Sequence, residues 1–223
     1  MDHNARIAAS WEANAGNWIA TIDHAEIESR NLVTNEAILQ AVVSAGVKSV
    51  LDIGCGEGWL TRAMQEAGMN AFGVDAVPAL IENAIHKGGA HYAVATFREL
   101  GEGKLYLPVK TAAAVINFAL LDELDSAFVL QRIHLLVQPN AKIFIQTLHP
   151  LTMAMQGDYT SGWKEGSWNG LKRDFTMPYE WYFRTLADWT TLFHASRLKL
   201  DKILEPLHPV TKVPASIIFQ LEC

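Results

Sequence analysis

The sequence predicts an α/β domain built on a doubly wound, mostly parallel sheet, and three observations carry that expectation. Between residues 34 and 150, short apolar runs alternate with segments of 3.6-residue apolar period, as buried parallel strands and their crossover helices do. The first of those runs passes directly into a loop with three glycines in five residues, Gly54, Gly56 and Gly58. An aspartate, Asp75, closes the second run about twenty residues later, the spacing of a nucleotide-binding βαβ unit.

Taken in order, the N-terminal run places Ile7, Trp11, Asn14, Ala15 and Trp18 on one helical face, and a core helix follows around Ile38, Leu39, Val42 and Val43. Strands are expected at Ser49–Ile53, Ala71–Val74, His91–Ala95, Ala113–Asn117 and Lys142–Thr147. Between the first two, Leu60, Ala63, Met64 and Ala67 form a helical stripe that Gly68 stops. Pro78 suits the first turn of the next helix, which carries Ile81, Ala84 and Ile85. After Thr147 the pattern breaks into an aromatic, glycine-punctuated stretch before a helix with Leu186, Trp189, Leu192 and Phe193. Two last strands are expected around Lys199–Leu204 and Ser216–Leu221.

A chain of 223 residues, 50% hydrophobic and 19% charged, can bury about 70% of its unfolded surface in one core. The expected organisation is a single domain: an N-terminal lid (1–33), a ligand-binding core (34–148), a cap insertion (149–184), and the final helix and strands (185–223). A net charge of −6 argues against a partner whose recognition needs clustered Lys and Arg, nucleic acid above all. Cys55 and Cys223 make neither a disulfide framework nor a metal spacing, and no paired HxxxH ligands occur, so no metal is expected. The polar start and the lack of a long apolar run predict a cytoplasmic protein without a membrane partner; the sequence leaves a monomer and a homodimer both open.

Open α/β sheets bind ligands beyond the carboxyl ends of their strands. A dinucleotide fingerprint requires a third small residue where this loop has Trp59, and no Gly-Lys-Ser/Thr follows to make a phosphate loop. The segments VLDIGCGEG and AFGVD instead resemble motif I and the second-strand acid of class I methyltransferases of small-molecule type, which use S-adenosylmethionine. The resemblance extends from residue 49 to 223 and implies a seven-stranded sheet whose last strand is antiparallel. It implies that Asp52 stands near the methionine amino group, that Gly54, Cys55, Gly56 and Gly58 make room for the methionine part, and that Asp75, with Ala76, takes the ribose hydroxyls. Adenine is expected against Thr96 and Phe97, where many members have an acid. Asn117 and Phe118 are expected beneath the sulfonium. The chain lacks the Asn-Pro-Pro-Tyr/Phe and Pro-Cys signatures that mark nucleic-acid members.

Related enzymes close an N-terminal lid over the cofactor, which suggests Arg30 as the partner of the methionine carboxylate; the alternative is a helix on the sheet edge with a solvated arginine. The cap is expected to wall a pocket for a small-molecule acceptor with Trp18, Trp163, Trp168, Tyr179 and Arg184, or else to pack its rings on the sheet edge as a hairpin. Methyl transfer to a hydroxyl or protonated amine needs a proton acceptor. His149, directly after the fifth strand, and Tyr182 are the catalytic candidates. The expected function is methyl transfer to a small-molecule O, N or C; the rivals are a non-catalytic cofactor-binding module and a tRNA-modifying enzyme.

Overall fold

The computed structural model describes residues 2–105, 107, 110–166 and 168–223. In chain order these form α1 (His3–Asp23), a π-helical turn (Arg30–Thr34), α2 (Asn35–Ser44), β1 (Ser49–Ile53), α3 (Trp59–Glu66), β2 (Asn70–Asp75), α4 (Pro78–Lys87), β3 (His91–Val94) and α5 (Phe97–Gly101). There follow β4 (Thr111–Asn117), α6 (Leu124–Arg132), β5 (Val137–Thr147), α7 (Leu151–Met155), β6 (Gly162–Glu165), β7 (Glu180–Phe183), α8 (Leu186–Ala195), β8 (Lys199–Leu204) and β9 (Ile217–Glu222).

Seven strands make one sheet in the order β3-β2-β1-β4-β5-β9-β8. Pairs among β1 to β5 are parallel, and β9 runs antiparallel to both β5 and β8. The winding reverses between β1 and β4, so the crevice for a ligand opens beyond the carboxyl ends of those two strands. Alternation along the strands feeds two layers. Leu51, Ile53, Ala114, Ile116, Ile143 and Ile145 face a cluster with Leu130, Trp189 and Phe193, while Val50, Ala113, Val115 and Phe144 face Ile38, Val42, Leu60 and Met64. Helix α1 lies on α4, burying Ala15, Val77 and Leu80 with Trp11 and Trp18 packed alongside.

Local signals explain most boundaries. Pro78 opens α4, where the missing N–H has no intrahelical partner to lose, and Gly68 takes φ +87° just past the end of α3. Strand β5 begins at Val137, five residues before the expected Lys142. The Gln138-Pro139-Asn140 stretch is exposed and reads as a turn, yet Val137 pairs Thr111, the Asn140 N–H bonds Cys223 O at 2.8 Å, and the register slips before Ala113 meets Lys142.

The cap contains α7 and an antiparallel hairpin, β6 with β7, separate from the main sheet. Its strands are four residues each and lie far apart in the chain, too short for a periodic signal. No helix among the described residues is long and apolar enough to cross a membrane.

Candidate active site

The loop after β1 is pinned to β2: the Gly54 and Cys55 N–H groups both donate to Val74 O, at 2.8 and 2.9 Å. At two positions nothing larger than glycine fits. Gly54 has φ +74°, and a Cβ there would stand 2.3 Å from the Ala119 Cβ; Gly58 has φ +82°, and a Cβ would stand 2.7 Å from the Tyr92 ring. Backbone thus lies open toward a cavity of about 540 Å³ at the switch point, a volume usual for small-ligand sites.

Three acids surround the loop in different states. Asp52 at the end of β1 is 1% exposed; its Oδ2 accepts from the Thr61 hydroxyl at 2.6 Å, its Oδ1 has no partner, and burial pushes its pKa up to about 7. Asp75 accepts from the Gly56 N–H at 2.8 Å and the Val77 N–H at 2.9 Å, and burial raises its pKa against those bonds. Glu57 is buried between Arg62 and Lys87, at 2.7 and 2.9 Å, and needs no further counter-charge.

Arg30 leads the π-helical turn. Its guanidinium lies over Trp18 and Trp59, 5.6 and 5.1 Å from the ring centroids. Its Nη2 is buried without a partner, and burial lowers its pKa to about 10. On the β4 side, Asn117 Oδ1 is likewise buried and unpartnered. Phe118 takes φ +55°, an uncommon conformation for a bulky residue, with its N–H held by Gln146 O at 2.8 Å.

The far walls come from α1, the loop after β4 and the cap. Trp11 stands edge-on to both Trp18 and Trp168 at 5.1 Å, and Trp168 is 4.8 Å from Tyr179. The Tyr182 N–H donates to Leu121 O at 2.7 Å, and Arg184 Nη2 donates to the carbonyls of Asp122 and Glu123 at 2.8 and 2.9 Å, which stitches β7 to the loop after β4.

Of the residues expected from the sequence, Trp18, Arg30, Asp52, Gly54, Cys55, Gly56, Asp75, Ala76, Thr96, Phe97, Asn117, Phe118, Trp168, Tyr179, Tyr182 and Arg184 line this one cavity. Within it the Thr96 hydroxyl is engaged at the start of α5, where it accepts from the Glu99 N–H and donates to the Glu99 carboxylate. Gly58, Trp163 and His149 do not line the cavity. Gly58 turns the chain into α3, and Trp163 stacks on His3 at 3.8 Å.

His149 is turned away and satisfied: its Nε2 meets Glu205 Oε1 at 2.8 Å, and its Nδ1 accepts from the Leu151 N–H at 3.1 Å. A side chain so placed joins the start of the cap to the loop before β9. Trp11, Trp59, Trp181 and Asn4 line the cavity without having been singled out as site residues. For Trp11 the signal was its spacing of seven from Trp18, two turns along one face.

A family described as a methyltransferase domain matches residues 29–201. The chain belongs to this methyltransferase family. Its solved neighbours share the fold at low identity. The complex of DhpI with SAM and HEP is 14% identical, with 98% of this chain and 97% of that one covered and a TM-score of 0.70. An S-adenosylmethionine-dependent methyltransferase from Clostridium acetobutylicum is 12% identical, with 93% and 96% covered and a TM-score of 0.64. A methyltransferase in complex with the Haloferax volcanii Trm112 activator is 13% identical, with 97% and 96% covered and a TM-score of 0.62. No curated protein matches the sequence.

The residues of this methyltransferase fit S-adenosylmethionine. The amino-acid end of that molecule carries a carboxylate and an ammonium, and the buried groups without partners that line the cavity include one cation, Arg30, and two acceptors, Asp52 Oδ1 and Asn117 Oδ1. Both Asp75 oxygens keep lone pairs after their backbone bonds, as a vicinal diol requires.

Proposed function

We propose that this enzyme transfers the methyl group of S-adenosylmethionine to a small-molecule O, N or C acceptor. The observation that carries the reading is the single continuous cavity whose glycine-loop end complements an amino acid and a ribose and whose other end is walled by aromatic rings. Asp52 would hold the ammonium, Arg30 the carboxylate and Asp75 the ribose hydroxyls. Thr96 and Phe97 would flank the base, and Asn117 and Phe118 would lie under the reacting sulfur. When bound, the cofactor supplies an electrophilic methyl carbon, so the protein's task is alignment and exclusion of water.

Alignment of the acceptor falls to α1 and the cap. Trp11, Trp18 and Trp168 pack on one another across the two segments, and Tyr182 and Arg184 face the cavity from β7. Burial raises the Tyr182 pKa, with Glu123 acting in the same direction, which suits this phenol to orienting an acceptor rather than to taking its proton at neutral pH. His149, bonded to Glu205 and Leu151 outside the cavity, takes no part in the transfer in this reading.

A net charge of −6 and aromatic walls disfavour a tRNA substrate. The two free cysteines suit a reducing cytoplasm. The test is calorimetric titration with S-adenosylmethionine and S-adenosylhomocysteine, with NAD as control, followed by an acceptor screen read as S-adenosylhomocysteine release. Micromolar binding of both and release with a small acceptor is the expected outcome. No binding, or a preference for NAD, overturns the reading; binding without turnover of any acceptor favours a non-catalytic module.

A further inference from the structure

We propose that the methyl acceptor is a small organic anion of arylcarboxylate type and that Arg184 seats its carboxylate. This deepens the function proposed above and rests on it. Buried charges in proteins are as a rule paired, because a dry guanidinium without a counter-ion is unfavourable. The cavity is lined by two guanidiniums in that condition. One, Arg30, adjoins the glycine loop and is accounted for by the methionine carboxylate. The other, Arg184, has no such explanation.

Arg184 follows β7 directly and is 5% exposed. Its Nη2 is taken by the two carbonyls of Asp122 and Glu123, and its plane lies over Tyr182 and Trp189 at 4.9 and 5.3 Å. Its Nη1 has no hydrogen-bond partner, and among the described residues it forms no ion pair. Burial lowers its pKa, so its charge is held at a cost that nearby acids only partly offset.

Those acids are committed elsewhere. Asp122 accepts from the Asp125 and Ser126 N–H groups and the Ser126 hydroxyl at the start of α6. Asp125 pairs with Arg98 and accepts from Asn4. Asp188 accepts from the hydroxyls of Ser161 and Thr185, and Glu123 acts on the Tyr182 phenol as well, raising its pKa. Asp122, Asp125 and Asp188 cannot turn toward Arg184 without giving up their own bonds.

A second donor without a partner lines the same cavity, the buried Trp11 Nε1 of α1. Two unsatisfied donors, one of them cationic, call for an acceptor-rich anionic group, and a carboxylate matches the planar fork of a guanidinium. The aromatic residues Trp11, Trp181 and Tyr182, which line the cavity, suit an apolar body attached to it.

The experiment saturates the enzyme with S-adenosylhomocysteine, which occupies the Arg30 end. It then titrates arylcarboxylates, each against its own carboxamide, 4-hydroxybenzoate against 4-hydroxybenzamide among them. The wild type is expected to bind acids about ten-fold or more tightly than their amides. In Arg184→Gln that ratio is expected to fall to about one, and in Arg184→Lys to survive in reduced form, with S-adenosylhomocysteine affinity in both variants within about two-fold of wild type. A wild type for which no acid outbinds its amide overturns the inference, as does an Arg184→Gln variant that keeps the preference. Should Arg184→Gln fail to fold, the wild-type ratio and the Lys variant decide by the same criteria. A wild type that does not bind S-adenosylhomocysteine sinks the proposed function itself, a different failure from equal binding of acid and amide.

Discussion

The two ends of the cavity are built in different ways. At the glycine-loop end, Asp52, Gly54, Gly56 and Asp75 come from adjacent parallel strands and the loop that joins them; backbone bonds hold Gly54 and Cys55 on Val74 O, and one side chain, Asp75, adds the Gly56 and Val77 N–H groups. At the aromatic end, α1 meets the cap across some 160 residues of chain, through side chains. Asn14, 1% exposed, accepts from the Thr176 N–H at 2.8 Å and donates to Thr176 O; Ser10 donates to Met177 O; Glu180 takes His3 and Arg6; Glu26 takes Arg173. Backbone-fixed geometry survives most substitutions, whereas side-chain clasps are lost one residue at a time. The first end is thus a consequence of the fold and the second an adjustable fitting upon it.

The strongest break comes at the first end. Asp75→Ala removes the acceptor of two backbone N–H groups and, in the proposed function, of two ribose hydroxyls; calorimetry is expected to register S-adenosylmethionine binding weaker by about a hundred-fold or more. Limited proteolysis of the cap should be unaltered in that variant, since α1 still clasps it.

Next in size is a pH effect at Asp52. With a folded pKa near 7 against 3.8, the folded free protein holds a proton that the unfolded chain has lost. Stability attributable to this group is therefore present below about pH 4 and is lost as pH rises through 7. In the proposed function the cofactor ammonium pairs with the ionised form, so affinity should run the other way, tightening by about ten-fold from pH 6 to pH 8. A flat profile in wild type, or the same slope in Asp52→Asn, would contradict the assignment.

At the second end the effects are smaller. Asn14→Leu loses both bonds to Thr176, and acceptor KM is expected to rise about three- to ten-fold with faster proteolysis of residues 168–179, while cofactor affinity stays within about two-fold. Equal losses at both ends would mean that they are not separately built. Smallest is His149→Ala. Its bonds to Glu205 and Leu151 join peripheral loops, so thermal melting should drop by about 2–4 °C with kcat within about two-fold; a large fall in kcat would restore a catalytic role.

Much of the first end is legible in the sequence. Strand Ser49–Ile53 has the expected bounds, and Asp75 closes β2 as the spacing required, because buried parallel strands read as unbroken apolar runs and strand-to-helix turns demand glycine. A hairpin in the cap is one of the two alternatives the sequence leaves open, but the bounds of β6 and β7 are not legible, since the strands are four residues long with half-buried faces and are bridged across residues 166–179. His149 was placed in the site by its position after β5, a sound rule for where a residue sits and no guide to where a side chain turns. Its ring faces Glu205, 56 residues further on, which no local pattern encodes.

By itself, then, the sequence determined the sheet, its switch point and the glycine-acid frame around it, because these follow from short-range periodicity and from backbone angles that few residues can adopt. Only the tertiary structure decided which rings close the cavity, which arginines are left without a counter-ion inside it, and that His149 stands outside. Those outcomes depend on side-chain partners many residues apart, and burial and pairing are properties of the packed molecule that appear only when the chain has folded.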